Sequence, residues 1–275
     1  MADLERLSIN QVTMRERWSL AEAISGLARH DIRGIAVWRD KLGELGVDEA
    51  ARRLRGEGMT VTAFCVGGLL GVMDDTSFQE RLDDNRRVID QAAVIQAECV
   101  MMVAGGLPEG SRDLTSIRER CLEGLDALMP YAKQAGVTLA LEPLHPMTAA
   151  SRSCLTTLRQ ANDWYEQLGG GAELGIAVDV YHVWWDPDLE RQISRAKDRI
   201  VAFHVSDWLM ETVDLRLDRG MMGDGVIDIP HIRALVEKTG YTGLIEVEVF
   251  SERNWWQRDP DEAIGIIKQR FSDWV

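Results

Sequence analysis

Cysteine is scarce in this 275-residue chain, and its four cysteines, Cys65, Cys99, Cys121 and Cys154, lie far apart with no CxxC spacing. Neither a zinc knuckle nor a disulfide framework is indicated, and buried reduced thiols are the expected state. Basic runs are missing too: 31 Lys and Arg stand against 45 Asp and Glu, a formal net charge of −14. A field of that sign repels phosphate backbones, which argues against nucleic acid as a partner. No uncharged apolar run reaches membrane-spanning length, and the start, Met1-Ala-Asp-Leu-Glu-Arg6, lacks the basic end and apolar core of a signal peptide. A soluble, cytoplasmic protein with no membrane partner is the expectation. No Pro-, Gly- or Ser-rich linker divides the chain, so residues 1–275 are read as one domain.

What is present is alternation. Apolar, β-rich runs trade places with helical patterns from end to end, which argues for a parallel sheet of βα units. The runs are Leu7–Thr13, Gly34–Trp38, Thr60–Val66, Cys99–Ala104, Val137–Glu142, Gly175–Val180, Ile200–Val205 and Leu244–Phe250. Eight is the number that closes a (β/α)8 barrel. A doubly wound open sheet competes, but no GxGxxG follows the first run. Ser19–Glu22, Ser77–Glu80 and Ser116–Glu119 have capping-box spacing, and Asp228 with Pro230 and Asp259 with Pro260 have the cap-then-proline pattern of helix entry. Gly58, Gly136, Gly169 and Gly240 mark helix stops, and a kink or break is expected at Pro130.

Four of the runs end in side chains that rarely sit in buried strands unpaired. Leu139-Ala-Leu-Glu142 stops at Pro143, which has no N–H for a ladder; Asp179, His204 and Glu248 occupy comparable places in the sixth, seventh and eighth runs. In a closed barrel these ends share one mouth, and a Glu/Asp/His/Glu set suits manganese or magnesium, with cobalt or zinc as alternatives. Taken singly, each acid reads as half of a salt bridge and His204 as a satisfied core imidazole; together they favour one divalent cation. Glu246 faces the same side as Glu248, and Glu248 is chosen because it is nearer the mouth. His182 should lie just above Asp179 and could donate to a ligand oxygen, although a surface histidine fits equally well. Arg219, in the Gly-punctuated loop Asp218–Gly225, could neutralise a developing oxyanion or be an ordinary solvated arginine. His145 and Asp207 each lie three residues past a proposed ligand and could orient it. Trp18, Trp38, Trp184, Trp185, Trp208, Trp255 and Trp256 fall at or after strand ends, where rings can stack on a sugar or an aromatic group; loop packing or a homo-oligomer interface are the other accounts.

Leu-Glu-Pro at 141–143, Val-Asp-Val-Tyr-His at 178–182, His-Val-Ser-Asp at 204–207, Gly-Asp-Gly-Val-Ile-Asp at 223–228 and Gly-Tyr-Thr-Gly-Leu-Ile-Glu-Val-Glu at 240–248 together resemble the sugar phosphate isomerase/epimerase family. Its members are xylose isomerase-like TIM barrels and include ketose 3-epimerases, hydroxypyruvate isomerase and inosose dehydratases. The resemblance implies that Glu142, Asp179, His204 and Glu248 hold the metal, that Glu142 and Glu248 transfer protons, and that His182 and Arg219 touch substrate oxygens. His145 and Trp185 are further candidates for substrate contact. The similar abasic-site endonucleases need histidine ligands at the third and fourth strand ends. Here those ends read Phe-Cys-Val-Gly-Gly and Met-Val-Ala-Gly-Gly, which disfavours that branch.

The chemistry follows from the residue types. A cation on a carbonyl and a neighbouring hydroxyl oxygen eases the formation of an enediolate, while one glutamate removes the α-proton and a second carboxylate returns it. Return to the other face of the same carbon is epimerisation, and return to the neighbouring carbon is aldose–ketose isomerisation. Loss of a β-substituent from the same enolate gives a lyase or dehydratase. The expectation is a metal-dependent isomerase or epimerase of a small sugar-like hydroxycarbonyl compound, with a lyase on a keto-sugar and a non-catalytic binding barrel as alternatives.

Overall fold

The computed structural model describes residues 3–275; Met1 and Ala2, which open the segment read above as unlike a signal peptide, lie outside them. Eight parallel strands pair in chain order and close into a barrel through the first against the last. They are β1 (Leu7–Asn10), β2 (Gly34–Trp38), β3 (Thr60–Gly68), β4 (Cys99–Val103), β5 (Thr138–Leu141), β6 (Leu174–Asp179), β7 (Ile200–Val205) and β8 (Ile245–Val247). With helices between them, this is the (β/α)8 barrel that the alternation implies.

Five strands stop earlier than expected, β4 and β6 by one residue and β1, β5 and β8 for local reasons. β1 ends at Asn10 because its side chain accepts the N–H of Val12 at 3.0 Å and turns the chain into a short 3-10 segment, Gln11–Met14. β5 ends at Leu141, two residues before Pro143, which leaves Glu142 just past the ladder. β8 gives way after Val247 because the neighbouring loops capture the chain: the Val249 N–H donates to Thr13 Oγ1, and the Phe250 carbonyl accepts from the Arg219 N–H.

Alternation along the strands then divides the barrel in two. Ile35, Phe64, Leu139, Ile176 and Phe203 join the large core between sheet and helices. Ala36, Ala63, Cys99, Ala140, Ala177 and Ala202 form a separate cluster of mostly small residues, as a narrow barrel interior requires. Two residues further along the same face lies the mouth: Ala140 leads to Glu142, Ala177 to Asp179, Ala202 to His204. The period of two therefore aims the polar strand ends inward.

Ser19 and Glu22 form the expected capping box on helix Leu20–Arg29, and Asp228 and Asp259 cap their helices as expected. The other two boxes are displaced. Asp74 caps Asp75–Val94 and Asp113 caps Leu114–Ala135, each accepting the N–H of the serine that was read as the cap. A carboxylate three residues upstream is both the stronger acceptor and the better partner for the helix dipole. The helix Leu114–Ala135 also runs through Pro130 without a break. Pro130 and Asp126, whose carbonyl loses its partner, both face solvent, so water can supply the missing bond. Gly58, Gly136, Gly169 and Gly240 all take positive φ at helix stops. Among the described residues no helix is long and apolar enough to cross a membrane.

One glycine is indispensable to the mouth. Gly68 closes β3 at φ +91°, and a Cβ there would lie 2.2 Å from the Val103 carbonyl oxygen. Gly68→Ala combines left-handed strain with a backbone clash and is expected to cost about 3 kcal/mol, read as a lower urea midpoint at unchanged slope.

Candidate active site

Glu142, Asp179, His204 and Glu248 converge at the C-terminal mouth, with one ligand atom of each within 4.8 Å of all the others. All four are buried. His204 Nδ1 lies 3.6 Å from Glu142 Oε1 and 3.8 Å from Glu248 Oε2, while its Nε2 is 3.4 Å from Glu246 Oε1. Neither ring nitrogen makes a hydrogen bond. Glu246 sits one layer deeper, held by Asn10 Nδ2 at 2.8 Å and by the hydroxyl of Thr62. The same Asn10 amide donates to Glu248 Oε1 at 2.9 Å, and its oxygen accepts from Trp38 Nε1 at 2.7 Å.

Four carboxylates, Glu142, Asp179, Glu246 and Glu248, are thus buried beside Arg219, the one buried arginine among the described residues. Arg219 Nη1 reaches Asp179 Oδ2 at 2.9 Å and Glu248 Oε2 at 3.1 Å. One guanidinium cannot balance four carboxylates in a low-dielectric pocket, and the side chains register the surplus. Burial disfavours charge on His204, yet Glu246, Glu142 and Glu248 outweigh it and hold the imidazole up at about 10. Burial pushes the Glu248 carboxyl up to about 8 against the pull of Arg219 and His204. Asp179 stays below the usual carboxylate range because Arg219, with help from His182 and His204, overcomes its burial. Two bare imidazole nitrogens and excess negative charge are what a divalent cation would complete. The donor set, three oxygens and one nitrogen, suits such an ion.

His182 is buried above Asp179 rather than on the surface, and burial pushes its pKa down to about 4, so the ring is neutral near pH 7. The His145 backbone N–H donates to His182 Nδ1 at 3.1 Å, which places the ring proton on Nε2. That nitrogen stands 3.1 Å from Arg219 Nη2. Both donor groups lie beside Asp179 Oδ2, which is 3.6 Å from His182 Nε2 and 2.9 Å from Arg219 Nη1.

Other expectations are corrected by packing. The His145 ring does not orient Glu142: it stacks on Trp208 with centroids 4.7 Å apart, and its Nδ1 accepts from the Met147 N–H. Trp185 donates to the His182 carbonyl at 2.8 Å and packs edge-on to His145, so both support His182 from behind instead of lining the cavity. Asp207 does not orient His204 either. Its carboxylate accepts four backbone N–H groups, from Trp208, Gly223, Gly225 and Ile227, at 2.8–3.0 Å. It pins the loop that follows Arg219. Asp207→Ala is expected to cost about 3 kcal/mol and to speed amide exchange at Gly223, Gly225 and Ile227 well above that of β7.

A cleft open to solvent lies over the carboxylates and encloses about 520 Å³ of empty space, that solvent included. Among the tryptophans only Trp38 lines it. Sequence reasoning missed Asn10, Arg152 and Arg216. Asn10 carried a faint signal as the second polar residue at alternate positions, after Ser8, in an apolar run; the two arginines lie in loops without periodicity.

The sequence profile of the xylose isomerase-like TIM barrel family matches residues 24–270. The chain belongs to this family. Among curated relatives, the xylose isomerase-like barrel is similar to L-ribulose-5-phosphate 3-epimerase UlaE of Escherichia coli O17:K52:H18, with 26% identity over 79% of this chain and 72% of that one. It is also similar to inosose isomerase of Halalkalibacterium halodurans, with 25% identity over 71% and 68%. Among solved structures, protein SMc04130 of Sinorhizobium meliloti 1021 superposes with a TM-score of 0.97 at 47% identity, over 99% of both chains.

Proposed function

We propose that this xylose isomerase-like barrel is a divalent-metal-dependent isomerase or epimerase of a small hydroxycarbonyl compound, working through an enediolate. The observation that carries the reading is the convergence of Glu142, Asp179, His204 and Glu248 around two unpartnered imidazole nitrogens. These four side chains would hold the ion, with manganese or magnesium favoured by the mainly oxygen donor set. When bound, the ion supplies Lewis-acid charge that lowers the cost of negative charge on adjacent substrate oxygens.

Glu248 takes the proton α to the carbonyl, and Glu142, from β5 three strands away around the barrel, returns it on the other side. His182 offers its Nε2–H to a substrate oxygen, and Arg219 keeps its charge beside that oxygen while fixing Asp179 and Glu248. Trp38 and the apolar wall of the cavity exclude water from the reacting carbon. Curated relatives named as a sugar epimerase and an isomerase support this reaction class. The closed barrel accounts for the chain from Leu7 to Val247, which supports reading residues 1–275 as one domain, and a metabolic role of this kind fits the cytoplasm.

The direct test is incubation with a panel of keto-sugars in D2O. Deuterium should enter the carbon next to the carbonyl when Mn2+ is supplied and stop when it is chelated. Absence of metal-dependent uptake across the panel overturns the reading.

A further inference from the structure

Three arginines line the cavity with Glu142 and Glu248, and they are not alike. Arg219 is fully buried and ion-paired. Arg152 is half-buried in the segment after β5, and Arg216 is exposed in the loop after β7. Among the described residues neither Arg152 nor Arg216 has a carboxylate within ion-pair distance, and neither guanidinium hydrogen-bonds to a protein atom. Arginines as shielded as Arg152 are tied down elsewhere, Arg6 to Glu237, Arg120 to Asp75 and Glu123, Arg233 to Asp3 and Glu237, whereas Arg216 is exposed, like Arg55 and Arg253, which are also unpartnered among the described residues. Arg120 and Arg6 lie on the outside of the barrel, so among the partly shielded arginines the unpaired Arg152 stands out at the site itself.

We propose that Arg152 and Arg216 form an anion subsite at the outer end of the cavity, which takes a carboxylate or phosphate group carried by the substrate. Exposure rises from the buried carboxylates and Arg219 through Arg152 to Arg216, all of which line the one cavity. A substrate lying along it would place its hydroxycarbonyl end over Glu142 and Glu248 and its anionic end between the two free guanidiniums. The wall between is apolar, formed by Val66, Met101, Val103, Leu144, Leu215 and Phe250, and the nearest protein anions felt by Arg152 are Glu142 and Glu248 at the inner end.

The arginine pair is also uncomfortable when empty. Burial lowers the pKa of Arg152, and the positive charges of Arg216 and Arg219 add to that effect against the pull of Glu142 and Glu248; burial, Arg15 and Arg219 do the same to Arg216 against the pull of Asp214. An incoming anion relieves this repulsion and accepts the forked N–H groups that guanidinium presents to carboxylate and phosphate. The segment is ready for it: the Arg152 backbone N–H bonds to the Thr148 carbonyl at 2.9 Å, Ser153 pairs with Gly105, and the Arg216 guanidinium sits 5.8 Å from the Phe250 ring. In a chain of net charge −14, which repels anions as a whole, such a local reversal of sign selects for them at one place.

This inference deepens the hydroxycarbonyl reading, and its test is independent of turnover. Isothermal titration of the metal-loaded protein with inorganic phosphate and with acetate at low ionic strength should show saturable 1:1 binding of at least one of the two. Arg152→Gln and Arg216→Gln should each weaken that binding at least tenfold, and the double variant should abolish it. Arg52→Gln, on the outer helix Val47–Gly56, should leave it unchanged. Arg152→Gln and Arg216→Gln each remove an unpaired charge and Arg52→Gln only an exposed pair with Glu49, so circular dichroism and melting should confirm intact folds. Tighter phosphate binding points to a phosphorylated substrate and tighter acetate binding to a sugar acid. Binding that survives both substitutions, or no saturable binding of either probe, overturns the subsite. If anion binding behaves as expected but no keto-sugar exchanges deuterium, the subsite stands and the isomerase reading fails.

Discussion

Glu248→Gln is expected to lower solvent-deuterium exchange beside a ketose carbonyl by about 10³-fold at saturating Mn2+, with the fold intact. The substitution preserves shape, and the remaining Oε1 can still accept from Asn10, which bonds to Glu248 at 2.9 Å. What disappears is the lone pair that receives the proton. Because Glu248 is also one of the four converging side chains, metal affinity should fall in the same variant, and the two effects separate in a titration. Exchange that recovers as Mn2+ is raised means that Glu248 only holds the ion. Exchange that stays low at saturation means that it moves the proton, and normal exchange there removes it from the chemistry.

The second large effect concerns stability. Carboxylates buried with a single guanidinium for company repel one another, so an ion that satisfies them binds the folded state and not the unfolded chain. At Mn2+ about 1,000 times its dissociation constant, linkage adds about 4 kcal/mol, which for a chain of this size is a rise in Tm of roughly 10 °C. His204→Ala should abolish most of that rise, since it removes a ligand whose two nitrogens have no other partner. The matched comparison is melting with Mn2+, with a chelator, and with Mn2+ restored. A Tm that ignores all three additions would mean that these acids need no cation.

The barrel and its central cluster were legible because both rest on rules with a fixed period. Eight apolar runs set the strand count, and an acid or imidazole at the end of a buried run signals a requirement that the core cannot meet alone. Glu142, Asp179, His204 and Glu248 meet as expected for that reason. The errors arose where neighbouring groups compete. Asp74 and Asp113 displaced Ser77 and Ser116 as caps because a charged acceptor stood one turn earlier, and spacing alone cannot rank the two. His145, Asp207 and Trp185 were drawn toward the ligands by sequence proximity, whereas packing gave them to Trp208, to the backbone of residues 223–227 and to His182. Asn10, Arg152 and Arg216 come from three separate loops or strand ends, and only closure of the barrel brings Asn10 against Glu248 and the two arginines to the cavity above it.

Anomalous diffraction from a crystal grown with Mn2+ tests the central claim most directly. The account predicts one strong peak at the mouth, within about 2.3 Å of an atom from each of Glu142, Asp179, His204 and Glu248. A peak bound elsewhere, or none at this cluster while Asp179 and Glu248 keep their contacts with Arg219, would contradict it.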